Sequence, residues 1–250
     1  MVSGIIGGEI GYRLLKALGR QDSGASTKVY STKSKIDILL GEQFIDRIKG
    51  KTVIDFGCGF GDEAIEMATR GARKVIGLDI REEVLLSARQ KAQQVGIDDR
   101  CVFSTSTDET VDLVVSIDAF EHFEEPALIL STMRKLLKPD GRVLAAFGPT
   151  WYHPLGGHLF SVFPFAHLMF TEKALIRWRS EFKNDGAKRF SEVAGGLNQM
   201  TISRFEKLVR ASEFETVMLE SVPIKRLKLF SNRITREFTT SFVRCELRPR

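Results

Sequence analysis

The feature that most constrains this chain is a short apolar run that passes directly into three glycines at alternate positions. The run VIDFGCGFG ends a predicted strand near Asp55 and continues with Gly57, Gly59 and Gly61. Glycines at such positions let the backbone turn sharply and approach a ligand without side chains in the way. Helical spacing resumes after Gly61, so free backbone N–H groups face the same turn. The motif therefore predicts a cofactor site between a strand and a helix.

Strand and helix patterns alternate along most of the chain and indicate the class of fold. The predicted strands are 52–56, 73–78, 100–104, 111–116, 141–147, 215–222 and 239–247. The predicted helices of this region are 35–48, 61–70, 82–95, 125–137 and a last one that begins near Thr201. Strands that alternate with helices of this length favour an α/β fold, in which helices cover both faces of a parallel sheet.

Two segments interrupt the alternation. Residues 5–18 have apolar side chains at helical spacing, and a polar linker follows to about Ser34, so residues 1–34 are predicted to precede the main domain at 35–250. Residues 149–198 are aromatic, contain histidines and fall between the fifth strand and the last helix. Open parallel sheets bind ligands at the carboxyl ends of their strands. We therefore interpret 149–198 as an inserted lid over the substrate.

An acid on the neighbouring strand supports an adenosine-containing cofactor. Asp79 ends the second predicted strand, eighteen residues after Gly61. A carboxylate at that place accepts hydrogen bonds from ribose hydroxyls. The glycines read GxGxG with Asp55 before them, which differs from the GxGxxG of dinucleotide folds. An NAD-dependent or nucleotide-sugar enzyme stays open as the alternative.

Four segments together resemble the class I S-adenosylmethionine-dependent methyltransferases. They are DFGCGFG, GLDI, VDLVVSIDAFEHF and LLKPDGRVLAAFGP, and the resemblance covers residues 35–148 and 200–222. It implies a doubly wound, Rossmann-like sheet of seven mostly parallel strands in the order 3-2-1-4-5-7-6, with the last strand antiparallel and the lid inserted after strand 5. It also implies a methyltransferase that uses S-adenosyl-L-methionine.

The same resemblance implies which residues contact the cofactor. Asp55 and Gly57 would border its methionine part, Asp79 its ribose and Ile80 its adenine. The complete implied set is Asp55, Gly57, Cys58, Gly59, Gly61, Asp79, Ile80, Asp108, Ser116 and Asp118.

The segment after the third strand departs from the family pattern. Family members carry an acid there that binds the adenine amino group, whereas this chain reads CVFSTSTDET. We assign Asp108 to that contact from a shifted position, with residues 105–107 as the alternative.

Polar residues at the end of the fourth strand are candidates for the acceptor chemistry. Asp118, Glu121 and His122 form a DxxEH motif. It is similar to the ExxEH of ubiquinone-biosynthesis O-methyltransferases and of small-RNA 2′-O-methyltransferases, in which these residues bind a metal. A set made mostly of oxygen ligands would suit Mg²⁺. In metal-free relatives the histidine instead packs at the cofactor or bears on the acceptor, and both readings stay open.

The insertion contributes three of the four histidines of the chain: His153, His158 and His167. An imidazole titrates near neutral pH, so one of them can serve as a general base or complete a metal site. We predict His122, His153 and His158 as catalytic. The aromatic residues around them are expected to form either an acceptor pocket or the core of the lid; they are Trp151, Tyr152, Phe160, Phe163 and Phe165.

Charge is concentrated at the two ends of the chain, whose net charge is +5. Residues 222–250 carry eight Lys or Arg against two Glu, and residues 1–35 carry six against two acids. The leading hypothesis is methyl transfer to an oxygen or nitrogen of a small or lipid-linked molecule. The alternatives are an RNA-modifying methyltransferase that holds phosphates with its basic termini, and a non-catalytic cofactor-binding regulatory protein.

Localisation follows from cysteines and from the absence of targeting signals. Cys58, Cys101 and Cys245 have no paired spacing, which favours a reducing, cytoplasmic compartment. The uncharged stretch 143–171 contains several prolines and glycines, so we predict no membrane-spanning helix. The basic amphipathic N-terminus and the aromatic stretch 159–170 leave peripheral membrane contact open as an alternative.

Overall fold

A mixed β-sheet of seven strands is the central element of the computed structural model, which describes residues 4–18, 34–193 and 196–250. The strands are β1 Thr52–Phe56, β2 Lys74–Leu78, β3 Cys101–Ser104, β4 Val111–Ile117, β5 Leu137–Phe147, β6 Phe214–Pro223 and β7 Thr240–Pro249. The helices are α1 Gly8–Leu18, α2 Lys35–Leu40, α3 Phe44–Ile48, α4 Asp62–Thr69, α5 Glu82–Val95, α6 Pro126–Leu136, α7 Ala166–Met169, α8 Glu172–Arg179, α9 Ile202–Ala211 and α10 Arg236–Thr239. Short 3-10 helices lie at His158–Phe160, Phe190–Glu192 and Lys225–Phe230.

The strand order is β3-β2-β1-β4-β5-β7-β6, which confirms the predicted order. Strands β1 to β5 pair in parallel, and β7 pairs antiparallel with both β5 and β6. From β1 the chain builds the sheet outward through β2 to β3, and then it returns to form β4 on the other side of β1. The strand order therefore reverses between β1 and β4, and the carboxyl ends of these two strands border that point. Ligands bind at such a point in open α/β sheets.

Apolar side chains alternate between the two faces of the sheet. In β1, Val53 belongs to the core under α2 to α5, and Ile54 belongs to the core under α6 and α9. Both side chains are fully buried. This period of two is what a strand covered on both faces requires, and it fixes the register of the strand against its neighbours.

The N-terminal helix packs on the insertion rather than standing apart from the domain. Leu15 of α1 is fully buried and shares a third core with Trp151, Phe160 and Leu175 of the insertion. Ile6 adds main-chain hydrogen bonds to residues 169 and 171, both 2.9 Å long. The predicted linker between α1 and α2 lies outside the described residues.

One local prediction is corrected. The single helix predicted at 35–48 is wrong, because Gly41 interrupts it with φ 90°, a conformation that excludes helix and suits glycine. The sequence analysis assigns no element to the connection between β6 and β7, where residues 224–239 form a 3-10 helix, a turn and α10. In the described part of the chain, no helix has the length and apolarity needed to span a bilayer.

Candidate active site

The glycine loop after β1 wraps over the end of β2. The backbone N–H groups of Gly57 and Cys58 both donate to the Leu78 carbonyl, at 2.8 and 2.9 Å. Gly57 has φ 85°, and a Cβ there would lie 2.9 Å from the Cβ of Ala119. A larger residue would therefore be strained twice, by its backbone conformation and by this contact. The loop is held in a fixed position at the carboxyl edge of the sheet.

Asp79 joins this loop directly. Its Oδ2 accepts the Gly59 N–H at 3.0 Å, and its Oδ1 accepts the backbone N–H of Arg81, also at 3.0 Å. The Arg81 guanidinium forms a second pair of hydrogen bonds to the same carboxylate, at 3.0 and 3.1 Å. Partial burial alone would raise the pKa of Asp79, but the bonds from Arg81 outweigh it and hold that pKa below its ordinary value. The two features on which the cofactor prediction depends are thus in contact.

Three acids and one lysine gather beside the loop. Lys35 Nζ lies 2.9 Å from Glu63 and 3.0 Å from Asp118. Asp55 is buried next to them, and its Oδ2 has no hydrogen-bond partner among the described residues. Burial and the charge of Glu63 raise the pKa of Asp55 well above its usual range, against the opposing effect of Lys35. Burial also raises the pKa of Asp118, again against Lys35.

The other predicted cofactor residues border the same edge. Gly61 is the residue that precedes α4, and Ile80, directly after Asp79, is 91% exposed. Cys58 is buried, and burial raises the pKa of its thiol. Ser116 is also buried, and its hydroxyl donates to the Phe56 carbonyl at 3.0 Å, so in this structure it ties β4 to β1.

The course of the loop after β3 bears on the adenine contact predicted for Asp108. The loop 105–110 runs from the carboxyl end of β3 to the amino end of β4. The neighbouring Glu109 forms an ion pair with Lys74, the first residue of β2, whereas Asp79 follows the last. Asp108 therefore lies toward the opposite end of the strands. Ser104, whose carbonyl accepts the Asp79 N–H at 3.4 Å, shows that the start of this loop is the part near the site.

Glu121, His122 and His158 form a cluster at the carboxyl end of β4. One potential ligand atom of each lies within 4.8 Å of the others. Glu121 is 1% exposed; its Oε1 accepts the Gly148 N–H at 3.1 Å, and its Oε2 has no partner among the described residues. Burial, with a smaller effect of Asp118, raises the pKa of Glu121 to about 8.

Both imidazoles of this cluster are oriented by backbone carbonyls. His122 Nδ1 lies 2.9 Å from the Gly196 carbonyl. His158 is hydrogen-bonded to the Pro149 carbonyl, while its buried Nε2 has no partner in the described chain. A carbonyl accepts, so each Nδ1 carries the proton, and this assignment follows from the hydrogen-bond network. Burial lowers the pKa of His158 to about 4, and the nearby His122 adds to that effect.

The cluster therefore offers more acceptor atoms than protons. The Nε2 atoms of His122 and His158 are acceptors, and because the pKa of Glu121 is raised to about 8, its carboxyl holds one proton at neutral pH that an ion would displace. Such an arrangement suits a divalent ion of the zinc or iron type, or a proton taken from a substrate. It suits Mg²⁺ poorly, because Mg²⁺ prefers oxygen ligands. Of the candidate ligands Asp118, Glu121 and His122, the last two lie in the cluster together with His158, whereas the Asp118 carboxylate pairs with Lys35.

The remaining histidines of the insertion take structural positions. His153 Nδ1 accepts the Leu155 N–H at 2.9 Å within a turn, and His153 stands outside the cluster. His167 is 1% exposed and bridges Ser161 and the Trp151 carbonyl, at 3.2 and 2.7 Å. The arrangement thus offers no support for a catalytic role of His153.

A cavity of about 760 Å³ opens beside His122. Its apolar wall consists of Trp151, Tyr152, Phe190 and Leu197, and its polar lining includes Glu124, Glu172, Arg189, Asn198 and Arg204. Of the five aromatic residues predicted for a pocket, two line this cavity. Phe160 is instead buried in the core of the insertion, and Phe163 packs against that core.

Two contributors to the site escaped the sequence analysis. Lys35 was read only as the start of a helix, yet its ion pairs neutralise part of the acidic group. Asn198 donates from Nδ2 to the Phe120 and Phe123 carbonyls, both at 2.7 Å, and so joins the end of the insertion to the DxxEH segment. No local pattern marks either residue, because each acts across a long separation in sequence.

The fold and the site define a class of protein: a doubly wound α/β domain with a nucleoside-type cradle at the carboxyl edge of its sheet. Comparison with known proteins agrees. Residues 48–148 match a family model described as a methyltransferase domain. The chain is 39% identical over 97 residues to the ribosomal protein L11 methyltransferase of Vibrio cholerae, a match that covers 38% of this chain and 33% of that protein.

One further similarity is of sequence and another is of fold alone. The chain is 36% identical over 119 residues to the ubiquinone biosynthesis O-methyltransferase of Aliivibrio fischeri, with 45% of this chain and 49% of that protein covered. Among solved structures, the magnesium protoporphyrin IX methyltransferase of Synechocystis PCC 6803, with bound SAH, superposes with a TM-score of 0.52 at 21% identity over 94% of this chain and 92% of that one.

The chain spans between a third and a half of the length of these two sequence relatives. The matched region includes the glycine loop, Asp79 and the DxxEH segment. Residues 48–148 are therefore similar in sequence to methyltransferase domains, and the sheet that contains them has the strand order implied by that resemblance.

Proposed function

We propose that this chain transfers the methyl group of S-adenosylmethionine to a hydroxyl or amine of a small or lipid-linked molecule, with a hydroxyl favoured. The observation that carries the proposal is the 3.0 Å hydrogen bond between the Gly59 N–H and the Asp79 carboxylate. It joins a bare backbone turn to a ribose acceptor at the carboxyl edge of the sheet. That is the geometry by which α/β folds hold adenosine cofactors.

The charges beside the loop fit the rest of this cofactor. S-Adenosylmethionine carries a positive sulfur, a positive amino group and a carboxylate. Asp55, Glu63 and Asp118 outnumber Lys35, so the excess charge of the group favours the two cationic parts, provided Asp55 or Asp118 is ionised. Lys35 is the nearby cation for the cofactor carboxylate. These roles would explain why so many ionisable groups are gathered in a largely buried place.

The cavity beside His122 supports an acceptor of small-molecule size. Pockets for such ligands are commonly about 300–1,000 Å³ and mostly apolar, with a few polar groups. This one is about 760 Å³ and combines an aromatic wall with charged side chains. One relative is named for methylation of a ribosomal protein and another for ubiquinone biosynthesis. The size of the cavity favours a small-molecule acceptor over a protein.

The chemistry at this position is a displacement at carbon. An acceptor hydroxyl oxygen attacks the methyl carbon, the carbon–sulfur bond breaks, and its electron pair returns to sulfur, which loses its positive charge. The hydroxyl proton passes to Nε2 of His122, the residue of the cluster that lines the cavity. The Gly196 carbonyl fixes the ring and continues to accept from its Nδ1–H when the imidazolium forms.

A metal ion would bind to three side-chain atoms of the same cluster. Glu121 Oε2 and the Nε2 atoms of His122 and His158 would hold it, and their nitrogen-rich character favours a transition metal over Mg²⁺. When bound, a divalent ion would lower the pKa of an acceptor hydroxyl. Chelation followed by metal analysis of the purified protein separates the two versions: activity that survives the loss of metal leaves His122 as the base.

Calorimetry with S-adenosylhomocysteine tests the proposal. Asp79→Ala removes the ribose acceptor and one anchor of the glycine loop, so we expect the dissociation constant to rise at least about thirtyfold, the equivalent of one charge-assisted hydrogen bond of about 2 kcal/mol. Asp108→Ala is the matched control and is expected to bind like the wild type. No binding by the wild type, or equal binding by both variants, contradicts the proposal. Incubation of metabolite extracts with a labelled methyl donor then identifies the acceptor by mass spectrometry.

A further inference from the structure

The excursion between β6 and β7 has a surface that the proposed methyl transfer does not use. Residues 224–239 are far longer than the two to five residues of an ordinary hairpin connection. Three of their large apolar side chains are among the most exposed in the described chain: Leu229 at 96%, Ile234 at 88% and Phe230 at 67%. We call these three residues the tip. Apolar groups held in water at such exposure, with polar neighbours, commonly mark an interaction surface.

Cations surround the tip. Lys225, Arg226, Lys228 and Arg233 are exposed, and none of them forms an ion pair within the described residues. No acidic residue lies between Lys225 and Arg236 in the sequence. By contrast, the cations of helix α1 are engaged: Arg13 pairs with Glu9, and Lys16 pairs with Glu181. Within the part of the chain that the structure describes, the tip is therefore an exposed apolar group whose neighbouring cations have no ion-pair partner.

The excursion is an ordered element rather than a loose loop. The side-chain Oδ1 of Asn232 accepts the N–H groups of Ile234 and Thr235, at 2.8 and 3.1 Å, which closes the turn behind the tip. At its base, Glu237 accepts the N–H groups of Ile202 and Ser203, at 3.0 and 2.8 Å, and so caps helix α9. The base is fixed to the domain while the tip is presented to solvent.

We propose that this tip inserts into the interface of an anionic lipid bilayer, with the surrounding lysines and arginines on the lipid headgroups. Charge complementarity selects this partner, since basic residues beside exposed aliphatic and aromatic side chains are the pattern of interfacial membrane binding. Aliphatic side chains gain nothing on the phosphates of a nucleic acid. The side chains of Leu229 and Ile234 are 96% and 88% exposed, so they project outward and do not form a groove for a peptide.

The position of residues 224–239 would bring the membrane contact close to the candidate active site. The ring of Phe238, at its base, lies 5.4 Å from the ring of Tyr152, which lines the cavity beside His122. A lipid-linked acceptor in the bilayer would then lie near the cavity. This consequence rests on the proposed function, whereas the membrane contact itself does not, so the binding experiment needs neither cofactor nor turnover.

Sedimentation with vesicles of stated composition tests the contact. We expect the full chain to bind phosphatidylcholine–phosphatidylserine vesicles and to bind pure phosphatidylcholine vesicles much more weakly. The triple variant Leu229→Ser, Phe230→Ser, Ile234→Ser should lose at least about tenfold in partition coefficient, since its apolar insertion is gone. The variant Lys228→Gln, Arg233→Gln should lose about fivefold for each cation removed. These positions are exposed, so circular dichroism and the melting temperature should stay those of the wild type.

A matched control lies on another surface. Ile10, Leu14 and Leu18 of α1 are 74%, 41% and 55% exposed. Replacing all three with Ser should leave vesicle binding unchanged. A loss in this control with none in the tip variant would move the contact to the N-terminal helix and overturn the proposal. Absence of vesicle binding by the wild type would overturn it as well.

Two further outcomes would assign the surface to another partner. If single-stranded RNA competes with vesicles and the tip variant binds RNA like the wild type, the cations serve a nucleic acid and the proposal fails. If the wild type is dimeric and the tip variant monomeric, the tip is a contact between copies, and it fails too. The variant Phe230→Trp gives a direct readout, because an inserted indole shifts its emission to shorter wavelength on anionic vesicles and an uninserted one does not.

Discussion

The two halves of the candidate site differ in how their polar atoms are satisfied. On the cofactor side, Asp79, the proposed ribose acceptor, accepts hydrogen bonds from Gly59 and Arg81 through both oxygens, and only Asp55 Oδ2 among the residues assigned to this side is a buried atom without a partner in the described chain. On the acceptor side, Glu121 and His158 each keep a buried polar atom without a partner in the described chain. An unpaired buried polar atom costs about 1–3 kcal/mol, so the second half retains an unfavourable arrangement that a substrate proton or an ion would relieve. The proposed ribose acceptor is therefore hydrogen-bonded before any cofactor binds, whereas the acceptor side keeps free polar atoms that can take a proton or bind an ion.

Removing the cavity-facing base should have the largest effect. His122→Ala is expected to lower the turnover of an identified acceptor by about 10²–10⁴-fold, the usual contribution of a general base. Its affinity for S-adenosylhomocysteine should stay within about twofold of the wild type, because His122 belongs to the other half. Steady-state kinetics and calorimetry on the same preparation measure the two quantities. A parallel loss in both would remove the distinction between the halves.

Glu121→Gln should change how stability depends on pH. Because burial raises the pKa of Glu121 from 4.5 to about 8, the folded wild type loses stability as the pH rises from about 4.5 through 8. Glutamine does not titrate. Relative to the wild type, the variant should therefore gain about 2–4 kcal/mol in unfolding free energy between pH 5 and pH 9, by about 1.4 kcal/mol per unit. Urea unfolding in the presence of a chelator measures this gain, and two parallel pH profiles would show that Glu121 is not held in its neutral form.

Lys35→Met should weaken cofactor binding about tenfold. The variant loses the cation proposed for the cofactor carboxylate and leaves Asp118 and Glu63 without their partner. Lys49→Met is the matched control, since Lys49 pairs with Asp46 and precedes β1 at the opposite, amino end of the strand. Calorimetry at matched salt compares the two. Equal affinities would place the cofactor carboxylate elsewhere.

Arg81→Gln should produce a smaller change of opposite sign. The Arg81 guanidinium forms an ion pair with the Asp79 carboxylate, to which the ribose hydroxyls are expected to donate. Removing its guanidinium frees Asp79 and should strengthen binding of S-adenosylhomocysteine by about two- to fivefold, in line with the small net value of a half-exposed ion pair. Weaker binding by this variant would mean that Arg81 itself contacts the cofactor.

His153→Ala should have the smallest effect. Its ring closes a turn and stands outside the cluster. Turnover and cofactor affinity should both remain within about twofold of the wild type, whereas the same change at His158 should reduce turnover strongly. The pair of variants thus tests whether the insertion contributes one histidine or two. A large loss at His153 would restore the prediction made from sequence.

Predictions from sequence succeeded where the information is local. The glycine loop and Asp79 follow from strand ends and from one backbone turn, and the α/β class follows from the alternation of strands and helices, whereas the strand order was implied only by the resemblance to a known family. The composition of the acceptor cluster needed the structure. His158 joins Glu121 and Asp118 does not, because Lys35, far away in the sequence, pairs with the Asp118 carboxylate. The excursion at 224–239 was missed because 3-10 turns and a four-residue helix have no hydrophobic period to detect.

The central claim is that one crevice presents the cofactor's sulfur to the Glu121, His122 and His158 cluster while Asp79 holds its ribose. A crystal structure with S-adenosylhomocysteine tests it most directly. We predict ribose hydroxyls within hydrogen-bond distance of the Asp79 carboxylate, and a sulfur whose open side faces His122. A nucleoside bound elsewhere, or a sulfur that faces away from the cluster, would contradict the account.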